Sequence, residues 1–206
     1  FGFLTNEIWQ MAALLSRFQM WRVVGLFALV GTLFLVSRVP EEMRTVAERQ
    51  STGTGLRLLA DTPFGPLAAT GDGGSPGRTP LRKAERLNVG LVLALTQALQ
   101  AVVVATLMFA FFVVFGLIAV NRALMKTWSG HALTAGKLFG VQIPLPDELL
   151  QVSLFIAAFS GLYFVAAMAS DVLYRSAFVD PLADHMAQSL SARDIYLARW
   201  GAEAAP

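Results

Sequence analysis

The stretch that decides the fold is Leu87–Val120, LNVGLVLALTQALQAVVVATLMFAFFVVFGLIAV, 34 residues without one charged side chain. As a helix it would reach about 50 Å at 1.5 Å per residue, against a hydrocarbon core of about 30 Å. It must therefore project beyond a bilayer, tilt or bend. Its most apolar part, Ala101–Val120, is the expected membrane core, and the span itself is placed at residues 89–120. Arg82-Lys83-Ala84-Glu85-Arg86 precedes it with three positive charges.

Two further windows share this character. Val23–Ser37, VVGLFALVGTLFLVS, is uncharged and flanked by Arg22 and Arg38. It is short for the roughly 20 residues a span needs, but snorkelling arginines and an interfacial Trp21 extend it to residues 21–39. Leu149–Val172 carries no charge before Asp171, and the acids Asp147 and Glu148 precede it where the helix dipole favours them. The expected fold class is all-α: a membrane protein with about three transmembrane helices (residues 21–39, 89–120 and 149–172) and a C-terminal amphipathic helix.

Composition agrees. Apolar residues make up 55% of the 206 and charged ones 15%, with mean hydropathy +0.58. A soluble domain carries about 25% charge. With no cysteine there is no disulfide framework, thiolate zinc site, iron–sulfur cluster or cysteine nucleophile. A net charge of +2 implies no nucleic-acid partner. Thirteen Arg against three Lys, with abundant Ala, Gly, Val and Leu, is the bias of a high-GC bacterial genome.

The connecting segments differ in kind. Residues 1–20 read as an interfacial segment or the end of an earlier span. Because the first residue is Phe1, Phe1-Gly2-Phe3-Leu4 is either a processed terminus or the tail of that span, and no signal peptide is readable. Residues 40–88 form a cytoplasmic helix and flexible loop: Pro40-Glu41-Glu42 signals a helix start, with the helix running to about Gln50. The Gly-, Pro-, Ser- and Thr-rich stretch Ser51–Pro80 then reads as loop. Residues 121–148 form an extracytoplasmic loop containing Trp128, His131, Lys137 and Phe139, with Ile143-Pro144-Leu145-Pro146 held extended by proline. Residues 173–206 form the tail. Pro181 marks a helix start there, and Leu182, Met186, Leu190, Tyr196, Leu197 and Trp200 form an imperfect apolar stripe suited to a membrane surface or a partner.

Positive charge orients the chain. Arg17, Arg22, Arg122, Lys126 and Lys137 fall on one side. Arg38, Arg44, Arg49, Arg57, Arg78, Arg82, Lys83, Arg86, Arg175, Arg193 and Arg199 fall on the other. Eleven against five places the first loop and the C-terminus in the cytoplasm of a bacterial cell, with the chain multi-pass in the plasma membrane.

Chemistry is sparse. The span centres hold no charge. Gln97 and Gln100, at i and i+3, share a helix face and could contact another helix or line a polar cavity. Ser153, Ala157 and Gly161 recur every four residues and allow a second helix to approach closely. His131 and His185 lie on opposite sides and cannot share a metal, and Ser160-Gly161 has no nearby His to act as base. No phosphate-cradling loop occurs. The expectation is no catalytic residue, no cofactor, no metal and no enzyme activity.

Asn6-Glu7-Ile8-Trp9-Gln10, Gly161-Leu162-Tyr163-Phe164 and Arg193-Asp194-Ile195-Tyr196-Leu197 resemble segments of multi-span integral membrane proteins of actinobacteria. The resemblance covers most of the chain in order. It implies a longer parent with at least one earlier span, carries no activity, and supplies no catalytic or binding residues. The expected partners are the lipid bilayer and other membrane protein subunits. The function this favours is a structural or accessory subunit of a bacterial plasma-membrane complex. A component of a transporter or channel, with Gln97 and Gln100 lining its path, and the membrane anchor of a sensor are the alternatives.

Overall fold

The computed structural model describes residues 6–69, 79–130, 133–138 and 141–200. The Gly71–Gly77 stretch, His131, Phe139 and the first and last few residues lie outside them. In chain order the elements are α1 (Asn6–Leu14), α2 (Arg17–Ser51), α3 (Thr54–Leu58), α4 (Gly65–Ala69), α5 (Lys83–Ala119) and α6 (Arg122–Ser129). There follow strands β1 (Ala135–Leu138) and β2 (Val141–Pro146), α7 (Asp147–Ser170), α8 (Val172–Tyr174), one π-helical turn (Arg175–Val179) and α9 (Asp180–Trp200). Three helices among the described residues, α2, α5 and α7, are long and apolar enough to cross a membrane.

One boundary differs from the sequence expectation. No helix starts at Pro40; α2 runs through it without interruption. Proline removes the hydrogen bond to the carbonyl four residues back and normally breaks or kinks a helix, at about 3 kcal/mol. Here tertiary contacts on both sides outweigh it. Arg38 donates to the Ala169 carbonyl, and Val46 and Arg49 are engaged beyond the proline. At the other end of the first loop, α5 begins at Lys83, ahead of the span placed at residues 89–120. The Arg82 N–H donates to Glu85 Oε2 at 2.8 Å, so a carboxylate in the first turn closes the helix end. Between them, α3 and α4 occupy part of the segment expected as loop.

The all-α expectation is also incomplete. β1 and β2 form an antiparallel hairpin, with Ala135 opposite Pro146, Lys137 opposite Gln142 and Leu138 opposite Val141, and an irregularity between residues 135 and 137. Prolines at 144 and 146 obscure any period-two alternation. Gly136 is what allows the strands together: a Cβ there would stand 2.6 Å from the Leu145 carbonyl oxygen.

The chain divides into two compact units, Phe1–Phe34 with Ala98–Ala166, and Leu35–Gln97 with Ala167–Pro206. In the first, Trp9, Ala12, Met20, Val120, Met125, Leu149, Val152 and Ile156 form the core. Trp9 and Trp128 pack with ring centroids 5.4 Å apart, and Phe27 of α2 meets Phe155 and Phe159 of α7. Arg17 pairs with Asp147 at the start of α7. Glu148 Oε1 accepts from the Thr134 N–H at 2.9 Å and its hydroxyl at 3.0 Å, tying the hairpin to the same helix end. Exposed Phe18 and Trp21, with Arg22 over the Phe18 ring, give α2 the aromatic and cationic start that suits a membrane–water interface.

In the second unit α9 packs against α2 and α3. Pro181 is its second residue, directly after the π-helical turn. Its buried face is Ala183, Ala187, Ser191, Asp194 and Ile195. The Leu182, Met186 and Leu190 stripe is only half-buried, and Tyr196 is exposed. Small side chains let the helices approach where a leucine stripe would hold them apart, so the closest contact is shifted by one residue from the expected face.

Candidate functional site

The most unusual polar arrangement lies in the second unit. Glu42 of α2 is 7% exposed and Gln97 of α5 is 3% exposed. The Gln97 Nε2 donates to Glu42 Oε2 at 2.6 Å. Continuity of α2 through Pro40 puts the carboxylate there. A cytoplasmic helix starting at Pro40 would have left Glu42 in a solvated first turn. Close approach of α5 depends on Gly90, whose missing Cβ would lie 3.0 Å from Val39 Cγ1 and 3.7 Å from Met43 Sδ. Buried Val46, Val89 and Leu93 stand one to two turns away on the same two helices.

Charged residues border this pair. Glu41, the neighbour of Glu42 in the chain, meets Arg38 and, at 3.4 Å, Arg175. Farther along, Arg49 holds Asp180 at 2.8 Å and Asp184 at 2.5 Å. Arg193 forks onto Glu85 at 2.7 and 2.9 Å and reaches Asp194 at 3.1 Å, while Gln50 donates to Asp194 at 2.7 Å. These pairs fasten α9 to α2 and α5.

Gln97 belongs to the second unit and Gln100 to the first. Gln100 Oε1 is enclosed without a hydrogen-bond partner among the described residues. Sequence reasoning passed over Glu42 because the acids after Pro40 fit a solvated helix start.

In the first unit, Ser153, Ala157 and Gly161 are all buried. At Gly161 a Cβ would lie 3.2 Å from that of Ala105 and 3.5 Å from the Ala101 carbonyl oxygen, so α5 and α7 approach there. Ser153 also lines an apolar cavity of about 170 Å³ with Trp9, Phe112, Phe115, Trp128 and Ile156. Its hydroxyl finds no partner among the described residues, whereas Thr32, Thr96, Thr106 and Ser160 each bond the carbonyl four residues back.

His185 is exposed on α9. Among the described residues no group of three His, Cys, Asp or Glu side chains is placed to hold a metal. No protein-family model, curated protein or solved structure matches the chain.

Proposed function

We propose that the chain is a structural or accessory subunit of a bacterial plasma-membrane protein complex, with its first loop and C-terminus in the cytoplasm. The observation that carries this reading is an uncovered small-residue face on α2. In the most apolar windows of α2 and α5 only 6% of residues are buried, against 44% in α7. Within the α2 window, Gly25, Ala28 and Thr32 are exposed at helical spacing, and no heavy atom lies within 4 Å of the place a Gly25 Cβ would take. Small residues on a membrane helix allow another backbone to come close, which supports van der Waals packing in a solvent as apolar as leucine itself. The Thr32 hydroxyl already bonds the Ala28 carbonyl at 2.8 Å, so the face carries no unsatisfied polar group into the contact.

Gly25→Leu tests this without disturbing the chain's own packing. Leucine exceeds glycine in helix propensity by about 0.8 kcal/mol, and its Cβ meets no heavy atom within 4 Å. Purified from native membranes in mild detergent, wild type is expected to retain a fixed set of membrane proteins at constant stoichiometry. Gly25→Leu is expected to reach the membrane in equal amount and lose at least one of them. Mass spectrometry of the purified species reads both. Wild type recovered alone, or only with copies of itself, overturns the proposal.

A further inference from the structure

Among the described acids of the second unit, Glu48, Asp61 and Asp171 are exposed to solvent. Glu41, Glu85, Asp180, Asp184 and Asp194 each meet an arginine guanidinium. Glu42 does not: the one hydrogen bond it makes with a described residue comes from a neutral amide. A guanidinium has only donors, so it suits a carboxylate and offers no acceptor to a carboxylic acid. An amide is different. Its Nε2 donates to a carboxylate, and its Oε1 accepts from a carboxylic acid, so one rotation about the last torsion of Gln97 serves either form.

Burial adds to this. A carboxylate enclosed among apolar side chains loses hydration that a single amide does not replace. The charged groups that face Glu42 are Arg38 and Glu41 on its own helix and Arg175 on the π-helical turn. Both guanidiniums are already engaged by Glu41, and their side chains are 36% and 31% exposed, so water completes their shells. Ionisable groups in such settings, at or near a span, are rare and mark proton or ion paths. A metal cation would need several oxygen ligands, and among the described residues no group of three His, Cys, Asp or Glu side chains is placed to supply them.

We propose that Glu42 and Gln97 form a reversible proton-binding site. The Glu42 carboxylate takes one proton from water to become a carboxylic acid, and Gln97 turns its amide from donor to acceptor, so the pair stays hydrogen-bonded in both states. No electron moves and no other bond breaks. The site belongs to the chain alone and does not depend on the partners proposed above.

The test uses the full chain in lipid nanodiscs. Infrared difference spectra between about pH 9 and pH 5 are expected to show the carbonyl stretch of a buried carboxylic acid. That band should be absent in Glu42→Gln and shifted to higher frequency in Gln97→Leu, where the acid has lost its acceptor. In parallel, dicyclohexylcarbodiimide, which enters apolar sites and reacts with protonated carboxyls, should leave a mass-detectable adduct on Glu42. Its rate should fall about tenfold per pH unit above the site's midpoint. The adduct is measured on wild type, so the experiment stands even if Glu42→Gln fails to fold. Neither a band nor an adduct on Glu42 across that range overturns the proposal and leaves Glu42 a fixed acceptor. A band that persists in Glu42→Gln, with no adduct on Glu42, overturns it equally.

Discussion

Gly55→Ala is expected to undock α3 from α9 and destabilise the second unit by about 2 kcal/mol. A Cβ at residue 55 would stand 2.4 Å from the Ser191 hydroxyl oxygen, 2.5 Å from the Ala187 carbonyl oxygen and 2.8 Å from its carbon. The serine could rotate away. The Ala187 carbonyl is main chain in the middle of α9 and cannot move without shifting the helix. Overpacking of this kind costs about 1–3 kcal/mol, and the backbone obstacle places this case at the upper end. Alanine recovers up to about 1 kcal/mol of helix propensity, which is too little to compensate. Movement of α9 also loosens the bond from Gln188 Nε2 to the Leu58 carbonyl, now 2.7 Å. Thermal unfolding in mild detergent reads the loss, and limited trypsin digestion locates it, since cleavage after Arg57 should accelerate. The same substitution at Gly25 is the contrast. It meets nothing within 4 Å, and its midpoint should hold or rise. Equal effects at the two positions would show that the close approach at Gly55 is not what holds α3.

What could be read in the sequence follows from what a bilayer forbids. Charge is absent from residues 23–37, 87–120 and 149–170, and helices long and apolar enough to span stand over all three. Periodicity was not needed. The helix ends were harder, because their signals are local and were outweighed by contacts made elsewhere. Pro40 is a strong breaker, yet α2 passes through it because residues on both sides are anchored by segments more than a hundred positions away. The hairpin was hidden by prolines and by strands of four and six residues.

The candidate site was half legible. Gln97 stands out as an amide in an apolar helix. Its partner could not be found, since an acid two residues after a proline looks solvated until the helix is known to continue. The α9 face shows the same limit. A stripe of Leu and Met predicts burial by transfer energy alone, but Ala187 and Ser191 win the closest contact because Gly55 offers a matching hollow, and Ala183 clusters with Val46. Such shape complementarity depends on both surfaces, and only one of them lies within the helix being read.

Arg193→Ala is expected to cost about 2 kcal/mol, through Asp194. Arg193 bonds both oxygens of Glu85, the Thr79 carbonyl at 3.3 Å and Asp194 at 3.1 Å. Of its two acidic partners, Glu85 reaches water and rehydrates when the arginine is removed. Asp194 is 4% exposed and cannot. Losing one member of a buried pair costs about 3–5 kcal/mol when the remaining charge is stranded. Here Gln50 still donates to Asp194 at 2.7 Å and the arginine side chain is itself 21% exposed, so the expected cost is lower. Arg193→Lys should recover part of it, since a lysine restores the charge but not the fork onto Glu85. The deciding variant is the double substitution Arg193→Ala with Asp194→Asn. An asparagine Oδ1 can still accept from Gln50 and leaves no buried charge, so the double variant should unfold at a higher temperature than Arg193→Ala alone. Its advantage should persist in high salt, because ions screen exposed pairs far more than enclosed ones. A double variant no more stable than the single one would move the cause from the buried charge at Asp194 to the lost hydrogen bonds at Glu85 and Thr79. The arginine would then act as a clasp between α9 and the start of α5.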